Sequence, residues 1–129
     1  MSTVAAHPYR TALENQDGQA LMEALHPDVS FYTPGFIEPV EGRDNVMMLF
    51  AKLATVFEEP EIVDELEGDG TRAIAFRLKV DGHPIEGMDY LQLDDDGRVL
   101  RITVSMRPLA SLQILADRTR ETVRQLQAN

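Results

Sequence analysis

The chain has 129 residues, of which 43% are hydrophobic, and its formal net charge is −10. This length predicts one domain with one core over residues 1–129, and the hydrophobic content excludes a wholly disordered chain. The negative charge argues against a nucleic-acid partner, because phosphates repel such a surface. No cysteine occurs, which excludes disulfides and thiolate chemistry and suits a cytoplasmic protein. We expect no signal peptide and no membrane span, since no apolar run approaches about 18 residues.

The N-terminal part predicts three helices and a strand. A first helix is expected from about Thr3 to Asn15, with Ser2 or Thr3 as N-cap. Asp17 can cap a second short helix that ends at His26 and Pro27. The strand follows at Val29–Thr33, where apolar and polar residues alternate, and Ile37–Glu41 is a short return. The third helix is expected at Arg43–Phe57, which has a wide apolar face.

The apolar period changes to two after Pro60, which predicts four consecutive antiparallel strands. The first is expected at Ile62–Glu67. In the second, Ile74, Phe76, Leu78 and Val80 face one way, while Arg72, Arg77 and Lys79 lie mostly on the other face. Asp81 and Gly82 indicate a tight hairpin. The third strand turns Ile85, Asp89, Leu91 and Leu93 to the inside. The last has Leu100, Ile102, Val104 and Met106 on its inner face.

A C-terminal helix is predicted over residues 109–127, after Pro108. A seam recurs at three- and four-residue spacing, formed by Leu109, Leu112, Ala116, Thr119, Val123 and Leu126. We therefore expect the helix to pack against the domain or a partner rather than to be free. Its arginines, Arg118, Arg120 and Arg124, would then face the acidic body.

These elements predict an α+β fold. We expect a cone-shaped α+β barrel, in which a curved antiparallel sheet wraps around helices, with an extra C-terminal helix. Such a cone encloses either a packed core or a ligand cavity.

Three stretches resemble the nuclear transport factor 2-like superfamily, in particular its SnoaL-type polyketide cyclase and ketosteroid isomerase-like group. They are Tyr9, Ala12 and Leu13 followed by Asp17, then Asp28 to Pro34, then Met88 to Leu93 followed by Gly97 to Val99. The resemblance covers about residues 4–106. It implies a hydrophobic small-molecule ligand, no cofactor, and a homodimer that pairs through the outer sheet face.

The resemblance also implies roles for single residues. Tyr9 matches the tyrosine, and Asp89 the protonated acid, that donate hydrogen bonds to a developing oxyanion in the isomerases. The general base of the isomerases corresponds to Thr33, whose hydroxyl does not ionise near neutral pH. We therefore expect no substantial steroid isomerase activity.

Asp89 is a candidate from its position alone. It shares an inward strand face with apolar residues, where an isolated carboxylate is costly. We predict that it is buried with a raised pKa and lies within hydrogen-bonding reach of Tyr9. The alternative is a carboxylate paired to an arginine or exposed to solvent.

Other candidates define the pocket and the remaining chemistry. We predict a substrate pocket lined by Thr33, Phe31, Phe50, Phe76, Leu91 and Met106. The same composition could form an ordinary filled core. Glu38, Glu41 and Glu86 stay open as possible bases. The three histidines, His7, His26 and His83, are scattered and are expected at the surface, so no metal site is predicted. The acidic run Asp94–Gly97 is interpreted as a turn rather than a calcium loop.

Two functional hypotheses follow. The favoured one is an enzyme of isomerase, cyclase or lyase type that acts on a hydrophobic carbonyl compound through Tyr9 and Asp89. The other is a non-catalytic module of the same fold that binds hydrophobic ligands or mediates dimerisation. The threonine at position 33 favours the second, and the inward acid at position 89 favours the first.

Overall fold

A computed structural model describes residues 4–128, which form four helices and six strands. The helices are α1 (Pro8–Asn15), α2 (Gly18–Ala24), α3 (Arg43–Val56) and α4 (Leu109–Ala128). The strands are β1 (Leu25–Tyr32), β2 (Val40–Glu41), β3 (Glu58–Gly68), β4 (Thr71–Val80), β5 (His83–Leu93) and β6 (Val99–Arg107). None of the helices within residues 4–128 is long and apolar enough to cross a membrane.

The six strands form one curved, unclosed sheet in the order β2-β1-β6-β5-β4-β3. Strands β3 to β6 are successive antiparallel neighbours, as predicted. Strand β1 pairs with β6 in parallel, so the sheet is mixed rather than wholly antiparallel. The apolar core lies between the inner sheet face and the helices, and the predicted α+β fold is confirmed.

The first helix begins later than predicted. Residues 4–7 are not helical, and α1 starts at Pro8, whose fixed φ suits the first helical position. The N-cap is His7, whose Nδ1 accepts the Tyr9 backbone N–H. His7 is also buried, whereas the sequence predicted it at the surface. The predicted caps Ser2 and Thr3 lie outside the described residues.

The helix α2 begins as predicted, because the Asp17 side chain accepts the Ala20 backbone N–H. It ends at Ala24, and β1 begins at Leu25, so His26 and Pro27 lie in the strand instead of ending the helix.

Two bulges change which side chains face inward. A register irregularity between Ile62 and Asp64 turns Glu65 inward and leaves Leu66 55% exposed. A second, between Gln92 and Leu93, buries Val99 and leaves Leu100 exposed, against the prediction for Leu100. A bulge adds one residue to a strand, so the alternation of faces reverses beyond it.

The C-terminal helix packs along the domain, as predicted. Its buried positions run to the last turn and are Ser111, Leu115, Ala116, Thr119, Val123 and Leu126. Leu109 is exposed, so the predicted seam is wrong at its first position. Arg118 pairs with Asp81 of the β4–β5 turn, whereas Arg120 pairs with Asp117 of its own helix rather than the acidic body.

Candidate active site in the cone

An apolar cavity of about 470 Å³ lies inside the cone. All four structural groups around it contribute to its wall, namely α1, α3, the sheet and α4. Exposed lining residues, among them Glu14, Gln16 and Glu61, mark the rim, whereas Tyr9 and Asp89 are buried in the wall. This volume falls in the range of about 300–1,000 Å³ that is usual for small-molecule sites. The cone is therefore not a filled core.

Asp89 and Tyr9 meet inside this cavity. Strand β5 pairs with β4 and β6 without irregularity at Asp89, so the inward alternation predicted from the sequence holds there. The Tyr9 hydroxyl donates a hydrogen bond to Asp89 Oδ2 at 3.2 Å. The predicted geometry of the pair is confirmed.

Burial shapes the acidity of both groups. It raises the pKa of Asp89 to about 7, and the hydrogen bond from Tyr9 acts in the opposite direction. Burial also raises the pKa of the Tyr9 hydroxyl well above its ordinary value, as do the charge of Asp89 and the hydrogen bond to it. Below about pH 7 the pair therefore holds two protons, one on each group, and the Tyr9 proton can be donated to a ligand oxygen that replaces Asp89 Oδ2 as its acceptor.

Aromatic side chains surround the pair. The ring of Phe50 lies edge-on to that of Tyr9, with ring centroids 6.2 Å apart, and edge-on to that of Phe31 at 5.2 Å. Phe76 and Met106 continue the wall on the sheet. Aromatic pairs favour this edge-to-face arrangement. The contact with Phe50 therefore helps to hold the Tyr9 ring in place.

Most of the predicted pocket residues line the cavity. They are Phe31, Thr33, Phe50, Phe76 and Met106. Leu91 is fully buried in the apolar core and is not part of the lining. Thr33 donates its hydroxyl to the carbonyl oxygen of Pro34 at 3.1 Å.

The possible bases Glu38, Glu41 and Glu86 are not among the lining residues. Glu41 accepts a hydrogen bond from Ser30, and Glu86 pairs with Arg107 on the exposed surface. The carboxylates in the lining other than Asp89 are Glu14 and Glu61 at the rim, which pair with Arg10 and Arg77. Within residues 4–128 no group of three or more histidine, aspartate or glutamate side chains could hold a metal ion.

The contribution of α4 was not expected for the cavity. Leu115, Thr119 and Val123 line it, and the Thr119 hydroxyl donates to the carbonyl oxygen of Leu115. The apolar seam in the sequence predicts that α4 packs against another part of the protein or a partner, but the pattern does not indicate which surface the helix covers.

Comparison with known proteins identifies the family and the fold. A family model described as "SnoaL-like domain" matches residues 6–102. No curated protein matches the chain. Several solved structures do, among them proteins with nuclear transport factor 2-like and cystatin-like folds.

Two of these structures cover most of the chain. A steroid delta-isomerase from Pseudomonas aeruginosa has a TM-score of 0.83 at 26% identity, covering 100% of each chain. An uncharacterized bacterial protein with a cystatin-like fold, from Silicibacter pomeroyi DSS-3, has a TM-score of 0.81 at 24% identity, covering 89% of this chain and 84% of that one.

Proposed function

The chain belongs to the family of SnoaL-like domains, and on that premise we propose that it is an enzyme acting on a hydrophobic metabolite that carries a carbonyl group. The observation that carries this proposal is the Tyr9–Asp89 pair in an apolar cavity. The ligand oxygen would sit against the two hydroxyl donors, and the apolar wall would hold the rest of the molecule. The likeness to a steroid delta-isomerase supports the same class of substrate.

The pair suits reactions that place negative charge on a carbonyl oxygen. Isomerisation, cyclisation of a polyketide chain and elimination of lyase type can all proceed through an enolate. Donors that are already oriented in a dry site stabilise such an oxyanion by about 3–4 kcal/mol each. Tyr9 and a protonated Asp89 would supply these donors, and Phe31, Phe50, Phe76 and Met106 would contact the carbon skeleton.

Binding of an oxyanion analogue tests the pair without knowledge of the substrate. We expect 2-naphthol to bind, because it offers one oxygen on a flat apolar body. Tyr9→Phe should weaken binding roughly 10-fold or more, the effect of losing a hydrogen bond of about 1.5–3 kcal/mol. Tyr90→Phe is the matched control, since Tyr90 is exposed on the outer sheet face. Equal affinity of Tyr9→Phe and wild type in a fluorescence titration would remove Tyr9 from the site.

Thr33 decides the isomerase branch of the proposal. A steroid isomerase needs a base that moves a proton between two carbons, and threonine lines the cavity where the resemblance places that base. We expect wild type to be inactive on a β,γ-unsaturated ketone and Thr33→Asp to gain activity. An active wild type would show that another group is the base. A Thr33→Asp protein that folds and binds the ketone yet stays inactive would count against the Tyr9–Asp89 hole.

A non-catalytic binding module is the second candidate. Thr33 favours it, because its hydroxyl is engaged with Pro34 and cannot replace a carboxylate. In that case the cavity would retain a hydrophobic molecule through purification, and native mass spectrometry would detect the ligand unchanged after incubation. Conversion of the retained molecule to a product would support the enzyme instead.

The quaternary structure and location complete the proposal. We propose a homodimer that pairs through the outer sheet face, where Leu66, Met88 and Tyr90 are exposed, and a cytoplasmic location. Light scattering at micromolar concentration should give a mass near twice the 14.5 kDa of one chain. A monomer mass would reject the dimer without affecting the cavity.

A further inference from the structure

A second buried carboxylate, Glu65, lies close to the Tyr9–Asp89 pair but outside the cavity wall. Its side chain is 0% exposed, on the inner face of β3. In the sheet register Glu65 of β3 is paired with Ile74 of β4, and Ile74 is paired with Asp89 of β5. The two carboxylates therefore lie in one row across the sheet, and the chemistry proposed for the cavity makes no use of Glu65.

The contacts of Glu65 converge on the start of α1. Its Oε2 accepts the backbone N–H of His7 at 3.1 Å, and Arg10 Nη1 lies 3.5 Å from its Oε1. Arg72 Nη1 donates to Glu65 Oε2 at 2.7 Å and to the carbonyl oxygen of Ala5 at 2.9 Å. Glu65 and Arg72, from two neighbouring strands, thus hold the backbone on the N-terminal side of α1.

His7 links this anchor to Tyr9. Its Nδ1 accepts the backbone N–H of Tyr9 at 3.0 Å, and its Nε2 lies 2.7 Å from the carbonyl oxygen of Gly97. Because Nδ1 accepts a hydrogen bond and Nε2 lies against a carbonyl oxygen, these partners assign the ring proton to Nε2. The ring therefore ties Tyr9 to the β5–β6 turn while its backbone is tied to Glu65.

This anchoring matters because α1 is short. It has eight residues, and helices below about 12 residues are marginal without tertiary contacts. Tyr9 must nevertheless place its hydroxyl within hydrogen-bonding distance of Asp89, and such bonds weaken steeply with poor geometry. A buried ion pair adds little net stability compared with an apolar contact, so its main effect here is to define where α1 starts.

We propose that Glu65 is a positioning residue, which together with Arg72 and His7 holds the start of α1 so that the Tyr9 hydroxyl meets Asp89. The proposal rests on the function proposed above for the Tyr9–Asp89 pair. Glu65 is not among the residues that line the cavity, so its effect on the site would pass through Tyr9.

The titration of Asp89, followed by carbon-13 NMR in the full chain, separates positioning from other effects. Tyr9→Phe should raise the pKa of Asp89, because the hydrogen bond from Tyr9 lowers it. Glu65→Gln should shift it in the same direction and by less. Loss of a nearby negative charge acting through space would instead lower the pKa of Asp89, so the sign of the shift distinguishes the two effects.

Matched variants complete the test. In the double variant Tyr9→Phe/Glu65→Gln, we expect the pKa of Asp89 to rise no further than in Tyr9→Phe alone. His7→Ala should raise the pKa of Asp89 without removing a charge, and His7→Asn should restore it, because asparagine is a good N-cap. Glu86→Gln removes an exposed ion pair from the strand that carries Asp89 and should leave the titration unchanged.

An unchanged or lowered pKa of Asp89 in folded Glu65→Gln, with a raised one in Tyr9→Phe, would overturn the positioning role. If Glu65→Gln does not fold, the pKa of Asp89 in the His7 variants is the test. A rise in His7→Ala that is reversed in His7→Asn supports the positioning role, and no rise in His7→Ala overturns it. Failure of the proposed function gives a different result. Tyr9→Phe would then shift the titration of Asp89 but leave the affinity for 2-naphthol unchanged.

Discussion

Asp89 and Glu65 are two buried carboxylates in one row of the sheet, and their surroundings differ. Asp89 faces an apolar cavity and receives one hydrogen bond, from a phenol. Glu65 lies outside that cavity, against two guanidinium groups and a backbone N–H. Burial without a cation makes the first a proton donor that titrates near neutral pH, whereas ion pairing makes the second an anchor.

This difference separates the part of the molecule that could do chemistry from the part that holds it in place. Asp89 is costly to the fold when it ionises, and the cost is compensated elsewhere. Glu65 and its partners define where α1 starts. The two carboxylates should therefore respond in opposite ways to removal of their charge.

Removal of the anchoring charge should have the largest effect. Glu65→Leu removes the buried acceptor of Arg72, Arg10 and the His7 backbone N–H, and among the carboxylates of residues 4–128 leaves Arg72 only its pair with Glu67 and Arg10 only its pair with Glu14. We expect the free energy of unfolding, measured in urea at pH 7, to fall by about 3–5 kcal/mol. Glu86→Leu, which breaks an exposed pair with Arg107, is the control and should cost less than about 1 kcal/mol. Similar losses in both variants would contradict the anchoring role.

Removal of the charge at the site should stabilise the protein at high pH. The pKa of Asp89 is raised to about 7 in the folded chain from 3.8, so the folded state binds the extra proton and stability falls as the pH rises between these values. The free energy of unfolding of Asp89→Asn relative to wild type should therefore be higher at pH 8 than at pH 4, by up to roughly 4 kcal/mol. Urea unfolding at both values measures it. A stability difference that does not change with pH would show that Asp89 titrates normally.

A smaller effect is expected from the glycine that precedes Asp89 on the same face. A Cβ at Gly87 would lie 2.6 Å from the carbonyl oxygen of Ser105 and 2.6 Å from the ring of Phe76. Gly87→Ala should cost about 1–3 kcal/mol by overpacking and weaken 2-naphthol binding, because Phe76 lines the cavity. Gly18→Ala, whose Cβ would meet nothing within 4 Å, should be neutral or stabilising. Unaltered binding by Gly87→Ala would place the ligand away from Phe76.

The same two regions show how far the sequence could predict the site. Strands β4 and β5 pair from His83 to Gln92 without irregularity, so alternation of apolar residues identifies Asp89 as inward. Strand β3 contains a bulge between Ile62 and Asp64, and a bulge leaves no signature in a strand of mixed polarity. Alternation would have placed Glu65 outward and Leu66 inward, the reverse of their positions.

Two further residues, Arg72 and His7, lie where the local sequence pattern does not predict them. Arg72 lies two residues before Ile74 and therefore on the same inner sheet face, whereas its charge predicts the outer face. At the end of its strand it pairs with Glu65. His7 lies near the chain terminus and was expected at the surface, yet it caps α1 and contacts Gly97. Arg72 also donates to the carbonyl oxygen of Ala5, and His7 contacts Gly97; both contacts span long sequence separations, which no local pattern encodes.

The carbon-13 titration of Asp89, with and without a bound apolar ketone, tests the central claim most directly. In the free protein we predict a midpoint near pH 7. A ketone oxygen that accepts a hydrogen bond from the protonated acid should move the midpoint to higher pH, because it stabilises the neutral form. A midpoint near 3.8, or one that a bound ketone leaves unmoved, would contradict the account of Tyr9 and Asp89 as paired donors to a carbonyl oxygen.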